Sequence, residues 1–142
     1  MGTAETLRTV AVHVFLGLSL VSCSDPTGIT SLEEFTWEPV NPPETVVEGI
    51  DVTTALGDVF ILGQLNTPTP CYQLTADLSR SDARLTLYIQ ASETNTSSCA
   101  DGIGGFRYTA VIRNVEQGKT YQLEVTHDVG GQKQTYSESV QP

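Results

Sequence analysis

Alternation of apolar and polar residues is the dominant pattern of the chain. In CYQLTADL, residues 71–78, Tyr72, Leu74, Ala76 and Leu78 share one face, and Gln73, Thr75 and Asp77 share the other. RLTLYIQA, residues 84–91, sets Leu85, Leu87, Ile89 and Ala91 against Arg84, Thr86, Tyr88 and Gln90. FRYTAVIR, residues 106–113, groups Phe106, Tyr108, Ala110 and Ile112, and YQLEV, residues 121–125, groups Tyr121, Leu123 and Val125. Period two is the mark of a half-buried strand. DVFIL, residues 58–62, is apolar without a break after Asp58 and predicts a more enclosed strand. Segments 46–52 and 133–140 complete a set of about seven strands. Turn-forming residues separate them in SRSDA, VEQGK and VGGQ. No helical period appears beyond residue 22. Short strands without helices predict an all-β antiparallel sandwich.

The N-terminal end follows another rule. MGTAETLR is polar, and TVAVHVFLGLSLVS, residues 9–22, is almost wholly apolar or small. A run of this length falls short of the about 20 residues that span a membrane. It fits the apolar region of a secretory signal peptide, about 7–15 residues. MGTAET also fits the pattern for N-myristoylation, but the apolar run directly behind it favours export. A buried cytoplasmic helix would carry polar residues at helical spacing, and this segment offers only His13 with scattered Thr and Ser.

The apolar run ends in Leu20-Val21-Ser22-Cys23. This resembles the lipobox of bacterial lipoprotein precursors. The resemblance implies that the Cys23 thiol receives a diacylglyceryl group and that cleavage before it makes Cys23 the new N-terminus. The chain would then meet the membrane through lipid on Cys23. Ser24, and not an aspartate, follows the cysteine, which in the Gram-negative family points to the outer membrane before the inner one.

Charge narrows the partners. The net charge is −10, and loss of residues 1–22 removes one acid (Glu5) and one base (Arg8), leaving it unchanged. Nucleic-acid binding requires clustered Lys and Arg, and adhesion to an anionic leaflet requires the same. Both are excluded as electrostatic functions. Between Ser24 and Asp77 there is no Lys or Arg at all. The early part of that stretch holds Pro26, Pro39, Pro42 and Pro43, and with its acids it predicts an extended tether over residues 23–45. Phe35 and Trp37 are the apolar exceptions, expected to dock the tether on a domain spanning residues 46–142.

One turn carries a second resemblance. In Val115-Glu116-Gln117-Gly118-Lys119-Thr120-Tyr121, a glycine precedes a tyrosine that opens an alternating strand. This is similar to the E–F corner of fibronectin type III and other Ig-like domains. It implies an Ig-like sandwich in which Gly118 makes the turn and the Tyr121 hydroxyl bonds to backbone upstream. The sole tryptophan lies in the tether and the cysteines do not sit where that family bridges its sheets. Transthyretin-like sandwiches fit the strand pattern nearly as well.

With Cys23 assigned to lipid, Cys71 and Cys99 remain, and an oxidising compartment makes their disulfide the expectation. The alternative, a redox or metal pair, lacks a CxxC spacing and a third ligand. Asp101-Gly102-Ile103-Gly104-Gly105 is glycine-rich but has no lysine and no following helix, so it reads as a turn. His127 has no nucleophile at a telling spacing and reads as a solvated strand-end residue. No catalytic set, cofactor or metal is expected. The combined expectation is a lipid-anchored bacterial cell-envelope protein whose non-catalytic Ig-like domain binds another envelope protein or has a structural role. The alternative is an envelope protease inhibitor that uses the loop at 91–105.

Overall fold

The computed structural model describes residues 29–95 and 97–142; the expected signal peptide and lipobox, with Cys23, lie outside them. Eight strands follow one another: β1 (Ser31–Pro39), β2 (Gly49–Ala55), β3 (Asp58–Thr67), β4 (Tyr72–Ser81), β5 (Arg84–Glu93), β6 (Gly104–Arg113), β7 (Tyr121–Val129) and β8 (Gln132–Val140). They form two four-stranded sheets, ordered β1-β6-β3-β2 and β4-β5-β7-β8. The result is an all-β sandwich.

The alternating residues meet between the sheets. Val59, Ile61 and Leu65 of β3, and Phe106, Tyr108, Ala110 and Ile112 of β6, face Leu85, Leu87 and Ile89 of β5 and Leu123 and Val125 of β7. All are buried. The unbroken DVFIL run is not enclosed on both faces as predicted: Val59 and Ile61 point inward, whereas Leu62 is half exposed on the outer face.

Two corrections concern topology. The middle of the expected tether is a strand. β1 pairs antiparallel with β6, so that Phe35 lies beside Ala110 and Trp37 beside Tyr108. The Phe35 ring packs 5.8 Å from that of Tyr108, and the Trp37 ring 5.6 Å from that of Phe106. The backbone of an acidic, proline-flanked segment thus completes a sheet edge, and its aromatics dock as expected. The second sheet is also not wholly antiparallel, because β5 and β7 run parallel. Parallel neighbours need a crossover between them; here β6, in the opposite sheet, is that crossover.

A glycine makes room for the largest core ring. A Cβ on Gly63 would lie 2.0 Å from Cζ of Tyr108, whose side chain is 1 % exposed and has nowhere to move. Gly63→Ala is expected to cost about 2–3 kcal/mol through overpacking, read as a lower urea midpoint at unchanged slope. The β2–β3 turn departs from its own chemistry: Leu56 has φ 54° and is followed by Gly57 at φ 86°. Leucine is strained there, while Asn-Gly is the favoured pair. The Leu56 side chain is 92 % exposed, so Leu56→Asn is expected to raise stability by about 1 kcal/mol in the same assay.

The strands define two poles about 30 Å apart, the length of nine or ten extended residues. One pole, called the near pole here, holds the start of β1, where Ser31 pairs with Arg113. It also holds the Leu56–Gly57 turn, whose carbonyl at Gly57 accepts the Val115 amide at 2.8 Å, and the C-terminal Pro142, whose carbonyl accepts the Gly118 amide at 3.0 Å. The far pole gathers the segments around Pro43–Glu48, Pro68–Cys71, Thr94–Ile103 and Gly130–Gly131.

Candidate functional site

The predicted site residues separate to opposite poles. Cys71 and Cys99 are bridged at the far pole, with Cα atoms 5.8 Å apart. Beside the bridge, the amide and hydroxyl of Thr94 both donate to the Cys71 carbonyl, at 2.9 and 3.1 Å. The loop that follows β5 is thereby fastened to the start of β4. Gly104 opens β6 against the same segment; a Cβ there would meet the Thr69 carbonyl at 2.5 Å. The glycine-rich run is therefore a packing device as well as a turn.

Gly118 and Tyr121 lie at the near pole. Gly118 has φ 76°, as the corner requires. Tyr121 is fully buried; its hydroxyl accepts from the Arg80 guanidinium at 3.1 Å and makes no bond to upstream backbone among the described residues. Arg80 also donates to Thr30 Oγ1, which in turn donates to the Asn114 carbonyl at 2.9 Å. The tyrosine thus ties β4 and the approach to β1 together, a different task from the one the resemblance implied.

His127 corrects the sequence reading most. It is 3 % exposed, not solvated. Strand β7 runs on to Val129, and His127 continues the inward series Tyr121, Leu123, Val125. The parity was legible; the strand simply extends past YQLEV. Its Nε2 and the Tyr108 hydroxyl share a 2.7 Å hydrogen bond, with the direction set by the ring tautomer. The Tyr108 and Tyr136 rings meet it edge-on at 5.5 and 5.0 Å. Burial lowers the imidazole to about 4 although the Glu48 carboxylate opposes this. Burial likewise pushes the Tyr108 phenol well above its usual value. At neutral pH both groups are uncharged.

His127 forms part of the wall of a far-pole cleft of about 470 Å³. Its apolar lining comes from Leu65, Pro68, Tyr72 and Val129, and its polar lining includes Glu48, Asn66, Gln132 and Gln134. Glu48 accepts the Asn66 backbone amide at 3.1 Å. Three buried polar atoms, Asn66 Oδ1, Thr69 Oγ1 and the Tyr136 hydroxyl, have no hydrogen-bond partner among the described residues. On the outer face beside the cleft, Asp128 accepts from the Tyr88 hydroxyl and from the Gly131 amide at 2.9 Å. The hydrogen bond from the Tyr88 hydroxyl holds the Asp128 carboxyl below its usual value. Lys133 completes this cluster, 3.8 Å from Asp128 and 5.3 Å from the Tyr88 ring centre.

Among the described residues, no three His, Cys, Asp or Glu side chains group as metal ligands, and no helix is long and apolar enough to cross a membrane. Comparison with protein-family models, with curated proteins and with solved structures finds no match to this chain. The cleft is therefore read from its own chemistry.

Proposed function

We propose that this chain is a bacterial cell-envelope lipoprotein, held by acyl groups on Cys23, whose sandwich is a non-catalytic binding module. The observation that carries the reading is polarity of layout. The chain enters the sandwich at the near pole, at Ser31, while the cleft and the disulfide-fastened loop occupy the far pole. An anchor upstream of residue 29 would turn the cleft away from the lipid. Because β1 begins at Ser31, the spacer between Cys23 and the first strand is seven residues long (24–30) and reaches at most about 25 Å, shorter than a tether to residue 45. The net charge of −10 repels an anionic leaflet, so attachment falls to the lipid. Ser24 after the cysteine favours the outer membrane.

The test is Cys23→Ser in the native host. The wild type is expected in the detergent-rich phase and labelled by palmitate. The variant is expected unlabelled and no longer in that phase. A variant that stays membrane-bound like the wild type contradicts the anchor. The loop at 91–105, most of whose described residues are exposed, supports a second reading, an envelope protease inhibitor. It predicts stoichiometric inhibition in a broad protease panel, lost when the loop is cut.

A further inference from the structure

We infer that the far-pole cleft binds neutral saccharides. The inference deepens the binding role proposed above and does not depend on the lipid anchor.

Four observations converge. The polar lining includes planar groups, the amides of Gln132 and Gln134 and the carboxylate of Glu48. An amide presents a donor and an acceptor side by side, and a carboxylate presents two acceptors. Such groups match adjacent hydroxyls, each of which both donates and accepts.

The apolar lining answers the other half of a sugar. Tyr72, with Val129, supplies a surface for the C–H face of a pyranose ring. The volume of about 470 Å³ falls within the range of small-ligand clefts, about 300–1,000 Å³. A second groove, of about 570 Å³, begins on the other side of Glu48, with Gln64 and Asp51 in its lining. A longer chain could leave the first cleft along it.

Charge excludes the main competitors. Lys133, the one basic side chain of the cleft apart from neutral His127, is engaged by Asp128 and the Tyr88 ring. An anionic ligand would meet Glu48 and a chain of net charge −10. A cationic ligand would find a single carboxylate that already accepts a backbone amide. A neutral, hydroxyl-rich ligand pairs with the Gln132 and Gln134 amides and with Glu48 through hydrogen bonds alone.

The test uses the native protein in detergent, titrated by calorimetry and by saturation-transfer NMR. The probes are neutral hexoses, N-acetylhexosamines and their disaccharides, with hexuronic acids and free hexosamines as charged comparators. Neutral saccharides are expected to bind and to move the His127 ring resonances. Gln134→Ala, at an exposed position, and Tyr72→Ala are expected to weaken binding by about 3–10-fold each, with thermal melting confirming that both variants fold. No saccharide binding at millimolar concentration overturns the inference. So does binding that ignores both substitutions, or a preference for the charged comparators. A protein that is acylated at Cys23 yet binds no sugar refutes this inference alone; one that binds sugar without being acylated refutes the anchor alone.

Discussion

Acidification from pH 6.5 to 4 is expected to remove about 3 kcal/mol of stability through His127 alone. The sign follows from where the proton goes. In the unfolded chain the imidazole titrates at its usual 6.5, whereas in the fold burial holds it down to about 4. As pH falls through that window the unfolded state takes a proton and the folded state does not. Stability is intact above 6.5, falls by up to about 1.4 kcal/mol per pH unit, and levels off below 4. Urea unfolding across the range reads it directly. His127→Gln keeps a hydrogen-bonding group near the Tyr108 hydroxyl and has no proton to gain, so its profile is expected to be flat over the same window. An equal slope in the variant would show that His127 is not the group. Asp128 acts elsewhere on the scale. Its carboxyl is held below the usual range, first by the Tyr88 hydroxyl. Its contribution is present above the usual carboxyl range and is lost as pH falls from there through the lowered value, under the His127 window.

Reduction of the Cys71–Cys99 bridge is expected to cost about 3–4 kcal/mol. The cysteines are separated by 28 positions, and closing a loop of that length removes this much entropy from the unfolded chain. The effect should fall on the far pole. Strands β5 and β6 are held by their ladders to β4, β7 and β3. Among its described residues, the segment 94–103 is held at Cys99 and Thr94. Cys71→Ser/Cys99→Ser is therefore expected to fold, to unfold at lower denaturant, and to be cut by protease within 94–103 faster than the wild type. A loss under about 1 kcal/mol would show that the unfolded chain is already constrained there.

Strand parity was the most readable feature of the sequence, because inner and outer faces differ in polarity at every second residue. Leu85, Leu87, Ile89, Phe106, Tyr108 and Leu123 all lie where their alternation puts them. The edges were harder to read. β1 carries Glu33, Glu34 and Glu38 on a strand with only one neighbour, and such a composition reads as tether because an edge buries little. The parallel β5–β7 pairing was also hidden, since period two is the same for either direction. The disulfide followed from cysteine count, but the cleft did not follow from anything local. Glu48, Asn66, Tyr72, His127 and Gln134 come from four strands and a loop, and only the packed sheets bring them together. His127 could have been found by carrying the Tyr121-Leu123-Val125 series one step further.

The central claim, an exported sandwich anchored through Cys23, is tested most directly by the intact mass of the native protein from membranes, before and after reduction. The account predicts a chain that begins at Cys23, carries added acyl mass, and gains the mass of two hydrogens when its one bridge is reduced. A full-length, unacylated chain with three free thiols would contradict it.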